Sequence, residues 1–129
     1  MAKIESFEDL EVWKSARSLF KKIYKLTEKE SFAKEYRFKE QIKSSSGSIM
    51  DNIAEGFERG GNKELIQFLF IAKGSCGETR SQLYRAYDVG LIDEEEFKEH
   101  TKDAKEISQS LSNFIKYLKQ SEYKGTKYK

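Results

Sequence analysis

The chain has 129 residues, of which 37% are hydrophobic and 36% are charged, and it contains no proline. That length suits one domain with a single buried core. The absence of proline suits long uninterrupted helices. No apolar run is long enough to cross a bilayer. The formal net charge of +2 is too small to indicate nucleic-acid binding by itself, and the single cysteine excludes an internal disulfide.

The first predicted helix covers residues 9–29, with Asp9 as its N-cap. Its apolar residues recur at steps of three and four, which places them on one face. That face comprises Val12, Trp13, Ala16, Leu19, Phe20, Ile23, Tyr24 and Leu26. The stretch from Glu30 to Glu35 breaks this pattern, so we expect a connection there.

A second helix of about 23 residues is predicted from the spacing of Phe38, Ile42, Ile49, Ile53 and Phe57. It ends in the turn 58–62, where glycine supplies the left-handed backbone that helix C-termini favour. Asn62 is predicted to cap a third helix of about 28 residues, which closes at Gly90.

Asp93 followed by Glu96 predicts a capping box at the start of a fourth helix. Its apolar face comprises Phe97, Ala104, Ile107, Leu111, Phe114, Ile115 and Leu118. Four long helices with short connections predict an all-α fold, an antiparallel up-down-up-down four-helix bundle over residues 1–120. Residues 121–129 have no periodicity, and we expect a flexible basic tail.

Two runs of small residues, at 44–47 and 74–77, fall inside the second and third predicted helices. In a hairpin that turns at Gly60 and Gly61, Ser44 lies level with Gly77 and Gly47 lies level with Gly74. Glycine inside a helix costs about 1 kcal/mol against alanine, and close helix contact is the expected compensation. The sequence therefore predicts a tight waist between these two helices.

Polar residues form a stripe on each of the same two helices. The stripes comprise Gln41, Ser45, Ser48, Asn52 and Glu55, and then Ser75, Glu78, Gln82 and Arg85. We interpret them as a seam that satisfies hydrogen bonds or faces another subunit. An alternative is a small metal-dependent hydrolase or nuclease that uses Glu55 and Glu78, with Asn52 as a third group.

No other pattern indicates a catalytic, metal or cofactor site. A di-iron bundle needs Glu-x-x-His pairs, and the single histidine, His100, is in no such pair. We interpret His100 as a solvated surface residue and Cys76 as a packed, inert thiol. The sequence therefore predicts a protein without catalytic residues, metal or cofactor.

Basic residues gather on the face of the first helix that lies opposite its apolar face. This basic row comprises Lys14, Arg17, Lys21, Lys22, Lys25 and Lys29. Such a row could contact phosphates without sequence preference. The other interpretation is the ordinary charged outer face of a bundle helix.

Several blocks of the chain resemble the bacterial four-helix bundle family named after proteins encoded in intervening sequences of large-subunit ribosomal RNA genes. The blocks are Phe7 with Asp9, Leu10, Val12 and Trp13; Gln41-Ile42; Ser48-Ile-x-x-Asn52-Ile-Ala-Glu-Gly-Phe57; Phe68-Leu-x-Ile-Ala-x-Gly-Ser75; and Glu78-Thr79. The resemblance runs from about residue 7 to residue 118.

This resemblance implies a bundle that assembles as a ring-like homo-oligomer, a homopentamer, with no known enzymatic activity. A related branch, the accessory proteins of diversity-generating retroelements, handles nucleic acid through basic surfaces, but the +2 balance of this chain departs from that branch. The matching positions Asn52, Glu55, Gly56, Gly74, Ser75 and Glu78 are assigned to packing and assembly.

The sequence thus predicts a cytoplasmic, non-catalytic interaction scaffold whose partners are copies of itself and RNA, DNA or a protein that handles nucleic acid. A purely structural partner of a neighbouring gene product is equally compatible with the residues.

Overall fold

The structure is a computed structural model that describes residues 3–123, and every regular element within them is helical. A 3-10 helix at Phe7–Asp9 is followed by α1 (Glu11–Thr27), α2 (Glu30–Ala33), α3 (Tyr36–Glu58), α4 (Asn62–Asp88) and α5 (Glu94–Tyr123). The predicted all-α class is confirmed. No helix in this part of the chain is both long enough and apolar enough to span a membrane.

The second and third predicted helices correspond to α3 and α4, of 23 and 27 residues. Gly60 and Gly90 have φ values of +85° and +79°, so both predicted turns use the left-handed backbone that glycine allows. The Asp93–Glu96 capping box is also present, because each backbone N–H donates to the other residue's carboxylate, at 2.9 and 2.8 Å. These signals are local, and the sequence displays them directly.

Two predicted caps are wrong. Asp9 lies in the 3-10 helix, where its Oδ2 accepts the backbone N–H groups of Glu5 and Ser6 at 2.9 and 3.1 Å, and these bonds lower the pKa of Asp9. Asn62 is already helical, and its Nδ2 donates to the carbonyl of Leu118 at 3.4 Å. Both side chains therefore stabilise other backbone groups.

The chain between α1 and α3 contains the short helix α2, which the broken pattern did not predict. Phe32 of α2 is fully buried against the core, and Ser31 donates its hydroxyl to the carbonyl of Leu91 at 2.8 Å. At the other end, α5 extends through residue 123, so it includes part of the predicted tail. Residues 124–129 lie outside the described part of the chain.

The four long helices pack around one apolar core. Helix α3 packs on α4, α4 packs on α5, and α1 packs on both α3 and α5. The fully buried side chains at the centre include Leu19, Ile23, Ile42, Ile49, Ile53, Leu65, Leu69, Leu83, Leu111 and Leu118. Within the described part of the chain, this packing leaves one outer face of α1 uncovered and aligns α3 with α4.

Candidate nucleic-acid interface

Most of the predicted basic row lines one surface hollow along α1. The hollow has a volume of about 560 Å³. Its lining consists of Lys14, Arg17, Ser18, Lys21, Lys22, Tyr24, Lys25 and Glu28. Five of the six predicted cations therefore share one site, and Lys29 does not line it.

Two of these cations are held by acidic residues of α5. Lys22 Nζ lies 2.8 Å from Asp103 Oδ2 and 3.2 Å from Glu99 Oε2. The hydrogen bond to Asp103, helped by Glu99, raises the pKa of Lys22. Lys29 Nζ lies 2.6 Å from Glu96 Oε1. Lys22 therefore joins α1 to α5, and Lys29 joins the connection between α1 and α2 to α5.

Three other cations form an outward row, Arg17, Lys21 and Lys25, and all three are exposed. Among residues whose side chains the structure describes, no carboxylate lies within 4 Å of these three charged groups. The Arg17 guanidinium lies 5.7 Å from the centroid of the Trp13 ring. Lys14 extends the row but pairs with Glu11 at 3.3 Å. The outward row thus carries charge that no carboxylate of the described side chains neutralises.

Tyr24 lies within this hollow, although the sequence placed it on the buried face. Its side chain is 44% exposed, beside Phe20 at a ring distance of 6.0 Å and under the Lys43 ammonium at 4.7 Å. The sequence contained a signal for the position of Tyr24 beside the basic row. Tyr24 follows Lys21 by three residues, and residues three apart are neighbours on a helix surface.

The predicted waist of α3 and α4 is wrong. A Cβ at Gly47 would lie 3.4 Å from the Phe20 ring of α1, and a Cβ at Gly74 or Gly77 would meet nothing within 4 Å. The close approach is at Gly56, where an added Cβ would lie 2.6 Å from Phe68 Cβ. Residues at equal height on two helices meet only if both face the contact, and Gly74 and Gly77 face outward.

The predicted polar seam divides into two parts. Ser45, Thr79 and Gln82 are buried, with Ser45 Oγ 2.9 Å from Thr79 Oγ1 and donating to Gln82 Oε1 at 2.6 Å. Nearby, Ser75 Oγ donates to Ser48 Oγ at 3.1 Å, and Asn52 Nδ2 donates to the Ser48 carbonyl at 2.8 Å. These residues satisfy hydrogen bonds within the chain.

The remaining predicted assembly residues lie on the outer surface: Ser44, Glu55, Gly74, Gly77 and Glu78 are all exposed. Ser44 of α3 and Glu78 of α4 line one hollow on this side of the bundle. We call this group the outer α3–α4 surface.

The carboxylates of the alternative two-acid site do not converge. Glu55 pairs with Arg59 at 2.8 Å, and Glu78 accepts from Gln82 Nε2 at 3.5 Å. The contacts of Ser45 with Thr79 and of Ser48 with Ser75 place Glu78 level with residue 45 or 46 of α3. Glu55 is then about 14 to 15 Å further along the helix at 1.5 Å per residue. The hydrolase hypothesis based on these two acids is therefore wrong.

His100 is buried, and its interpretation as a solvated surface residue is wrong. It is 6% exposed, and its Nδ1 has no hydrogen-bond partner among the described residues. Burial lowers the pKa of His100, although the charges of Glu99 and Asp103 oppose this shift. The sequence contained a signal of this burial. His100 follows Phe97 by three residues and precedes Ala104 by four, and these steps place it on the apolar face of the helix.

His100, Glu99 and Asp103 are also the group that could hold a metal ion, because one potential ligand atom from each lies within 4.8 Å of the others. The Lys22 ammonium, however, already contacts both carboxylates. A metal ion would have to displace Lys22 and break a contact between α1 and α5.

Cys76 is fully buried, as predicted for a packed thiol. Burial raises the pKa of Cys76 to about 12, despite the nearby charges of Lys73 and Arg80. The thiolate needed for nucleophilic attack is therefore scarce near neutral pH.

Comparison with known proteins identifies a matching family and a solved structure of similar fold. A family described as 23S rRNA-intervening sequence protein matches residues 8–113. A crystal structure of a protein of unknown function from the S23 ribosomal protein family of Bacteroides thetaiotaomicron is 28% identical, with a TM-score of 0.75 over 81% of this chain and 98% of that chain. No match was found among curated proteins.

Proposed function

Because the chain belongs to the 23S rRNA-intervening sequence protein family, we propose that it is a non-catalytic scaffold that assembles with copies of itself and holds nucleic acid on the outer face of α1. The main support is the outward row of Arg17, Lys21 and Lys25, whose charges no described acidic residue pairs. RNA is the first ligand to test because of the family's description. We propose that it acts in the cytoplasm.

The proposed scaffold is an antiparallel up-down-up-down four-helix bundle. Along α3 and α4 the contacting residues run in opposite directions. Ser45 contacts Thr79, and Ser48, later in α3, contacts Ser75, earlier in α4. The same order holds between α5 and the chain segment of α1 with the residues that follow it, through the pairs Lys22–Asp103 and Lys29–Glu96. These pairs support the antiparallel arrangement.

The proposed assembly is a ring-like homo-oligomer, a homopentamer, formed through the outer α3–α4 surface. Gly74 and Gly77 leave open space on this surface, so another backbone could approach closely. A ring requires a heterologous contact, in which two different patches of the same chain meet and the rotation closes. The outer α3–α4 surface supplies one such patch.

Nucleic-acid binding is tested by fluorescence anisotropy with a labelled RNA across a salt series. Replacing two cations of the outward row, in Lys21→Gln/Lys25→Gln, should weaken binding and flatten the salt dependence, because each phosphate contact adds a salt-sensitive increment. The matched control is Lys102→Gln/Lys105→Gln, which removes the same charge from exposed positions of α5.

Equal weakening in the two double variants would mean that only net charge matters, and it would contradict a site on α1. Failure of the wild-type protein to bind RNA or DNA even at low salt would remove the nucleic-acid part of the proposal.

A further inference from the structure

The outer face of α1 combines unpaired cations with an exposed aromatic ring. We propose that this face binds single-stranded nucleic acid, with a base stacked on Tyr24 and phosphates bound by Arg17, Lys21 and Lys25. This inference rests on the proposed function and deepens it by naming the class of strand.

The spacing of the outward row fits one extended strand. Arg17, Lys21 and Lys25 follow each other at four residues, so their backbone positions advance by about 6 Å per step along one side of the helix. A row of this kind tracks the phosphates of a single strand, as in other grooves that bind single strands without sequence preference. Lys14 pairs with Glu11, and Glu28 lies at the other end of the hollow, so the free charge is concentrated between them.

Tyr24 supplies the feature that distinguishes a single strand from a duplex. It lies among these cations and lines the same hollow, with 44% of its side chain exposed. An aromatic side chain can stack on a base only if that base is not already covered by its neighbours in a duplex. The Lys43 ammonium lies over one face of the Tyr24 ring, so a base would stack on the other face.

The exposed Tyr36 has different electrostatic surroundings. Tyr36 is 74% exposed, but the hollow that it lines contains one cation, Arg37, and two acids, Glu40 and Glu78, whose carboxylates repel phosphate. Tyr36 therefore offers a control for Tyr24: it is an exposed ring without the row of free cations.

The experiment compares a labelled twelve-nucleotide oligouridine with an RNA hairpin duplex of similar charge, both by fluorescence anisotropy. For the single strand, log K should fall with log salt at a slope of about −0.7 per phosphate contact, or about −2 for three contacts. Tyr24→Leu should weaken oligouridine binding about tenfold and leave duplex binding and the salt slope unchanged. Tyr24→Phe and Tyr36→Leu should bind like the wild type, and far-UV circular dichroism checks that each variant is folded.

Two results would overturn this inference while leaving the proposed function in place. Tyr24→Leu could bind oligouridine as tightly as the wild type, or it could weaken the duplex as much as the single strand. In either result, a loss of binding in Lys21→Gln/Lys25→Gln would still support a phosphate site on α1. If the wild type bound neither probe, both the inference and the proposed function would fail.

Discussion

At the scale of single residues, His100 shows how burial changes the chemistry of a group that the sequence surrounds with acids. Glu99 and Asp103 favour its charged form, and burial disfavours it more strongly, so its pKa falls below 6.5. Because His100 is the only histidine, its titration is separable from that of the other side chains.

We expect the wild-type protein to lose stability as the pH falls below about 6.5, the ordinary pKa of histidine. The unfolded chain takes up a proton at His100 near pH 6.5, while the folded chain resists it, so stability is complete above that pH and is lost as the pH falls through the lower folded pKa. Urea unfolding at several pH values should show this slope in the wild type and a smaller slope in His100→Leu. Equal slopes in the two proteins would show that His100 titrates normally.

At the scale of helices, the contact of α3 with α4 depends on a glycine that faces inward. A Cβ at position 56 would lie 2.6 Å from Phe68 Cβ and 3.1 Å from Leu65 Cδ1, so the helices would have to move apart. Position 74 has open space around it. The two glycines therefore have opposite expected responses to the same substitution.

Gly56→Ala should lower the free energy of unfolding by about 1–3 kcal/mol through overpacking. Gly74→Ala should raise it by up to about 1 kcal/mol, because alanine favours the helix and its Cβ would meet no described residue within 4 Å. Chemical unfolding of both variants checks this pair. A destabilised Gly74→Ala together with an unchanged Gly56→Ala would contradict this assignment of the two glycines.

The helices themselves were predictable from the sequence because their signals are local: steps of three and four, glycine turns, and the Asp93–Glu96 capping box. The contacts between helices were less predictable. The pairing of Gly47 with Gly74 considered only the height of each residue along its helix. It neglected the direction in which each residue points, which changes by about 100° from one helical residue to the next. Helix α2 is four residues long, too short to display a period.

The basic row of the candidate site was predicted from the sequence. Which of its cations pair with acidic residues, and which do not, was not predicted. Lys22 and Lys21 are adjacent in the sequence, but only Lys22 contacts Asp103 and Glu99, which are about 80 positions away in the chain. Which cations are neutralised depends on how α5 packs on α1, and no local pattern encodes that packing. For the same reason the exposure of Tyr24 became visible only in the folded chain.

At the scale of the whole molecule, the outer α3–α4 surface is the place where assembly can be tested. Light scattering should give about five times the chain mass of 15.1 kDa if the proposed homopentamer forms. Gly74→Leu should reduce this mass, because a large side chain would block the approach of a second copy. Lys105→Leu, at an exposed position of α5, should leave the mass unchanged.

A wild-type mass equal to that of one chain at micromolar concentration would contradict the assembly proposal. An unchanged mass in Gly74→Leu would place the contact between copies elsewhere.

The position of Trp13 gives the molecule an intrinsic optical reporter. It is the only tryptophan, its ring packs edge-on against Phe7 at 5.1 Å, and the Arg17 guanidinium lies 5.7 Å from its centroid. A phosphate that draws Arg17 off the indole would alter the emission of Trp13. Occupancy of the α1 face could then be followed by the fluorescence of the unlabelled protein, in real time and with any colourless ligand.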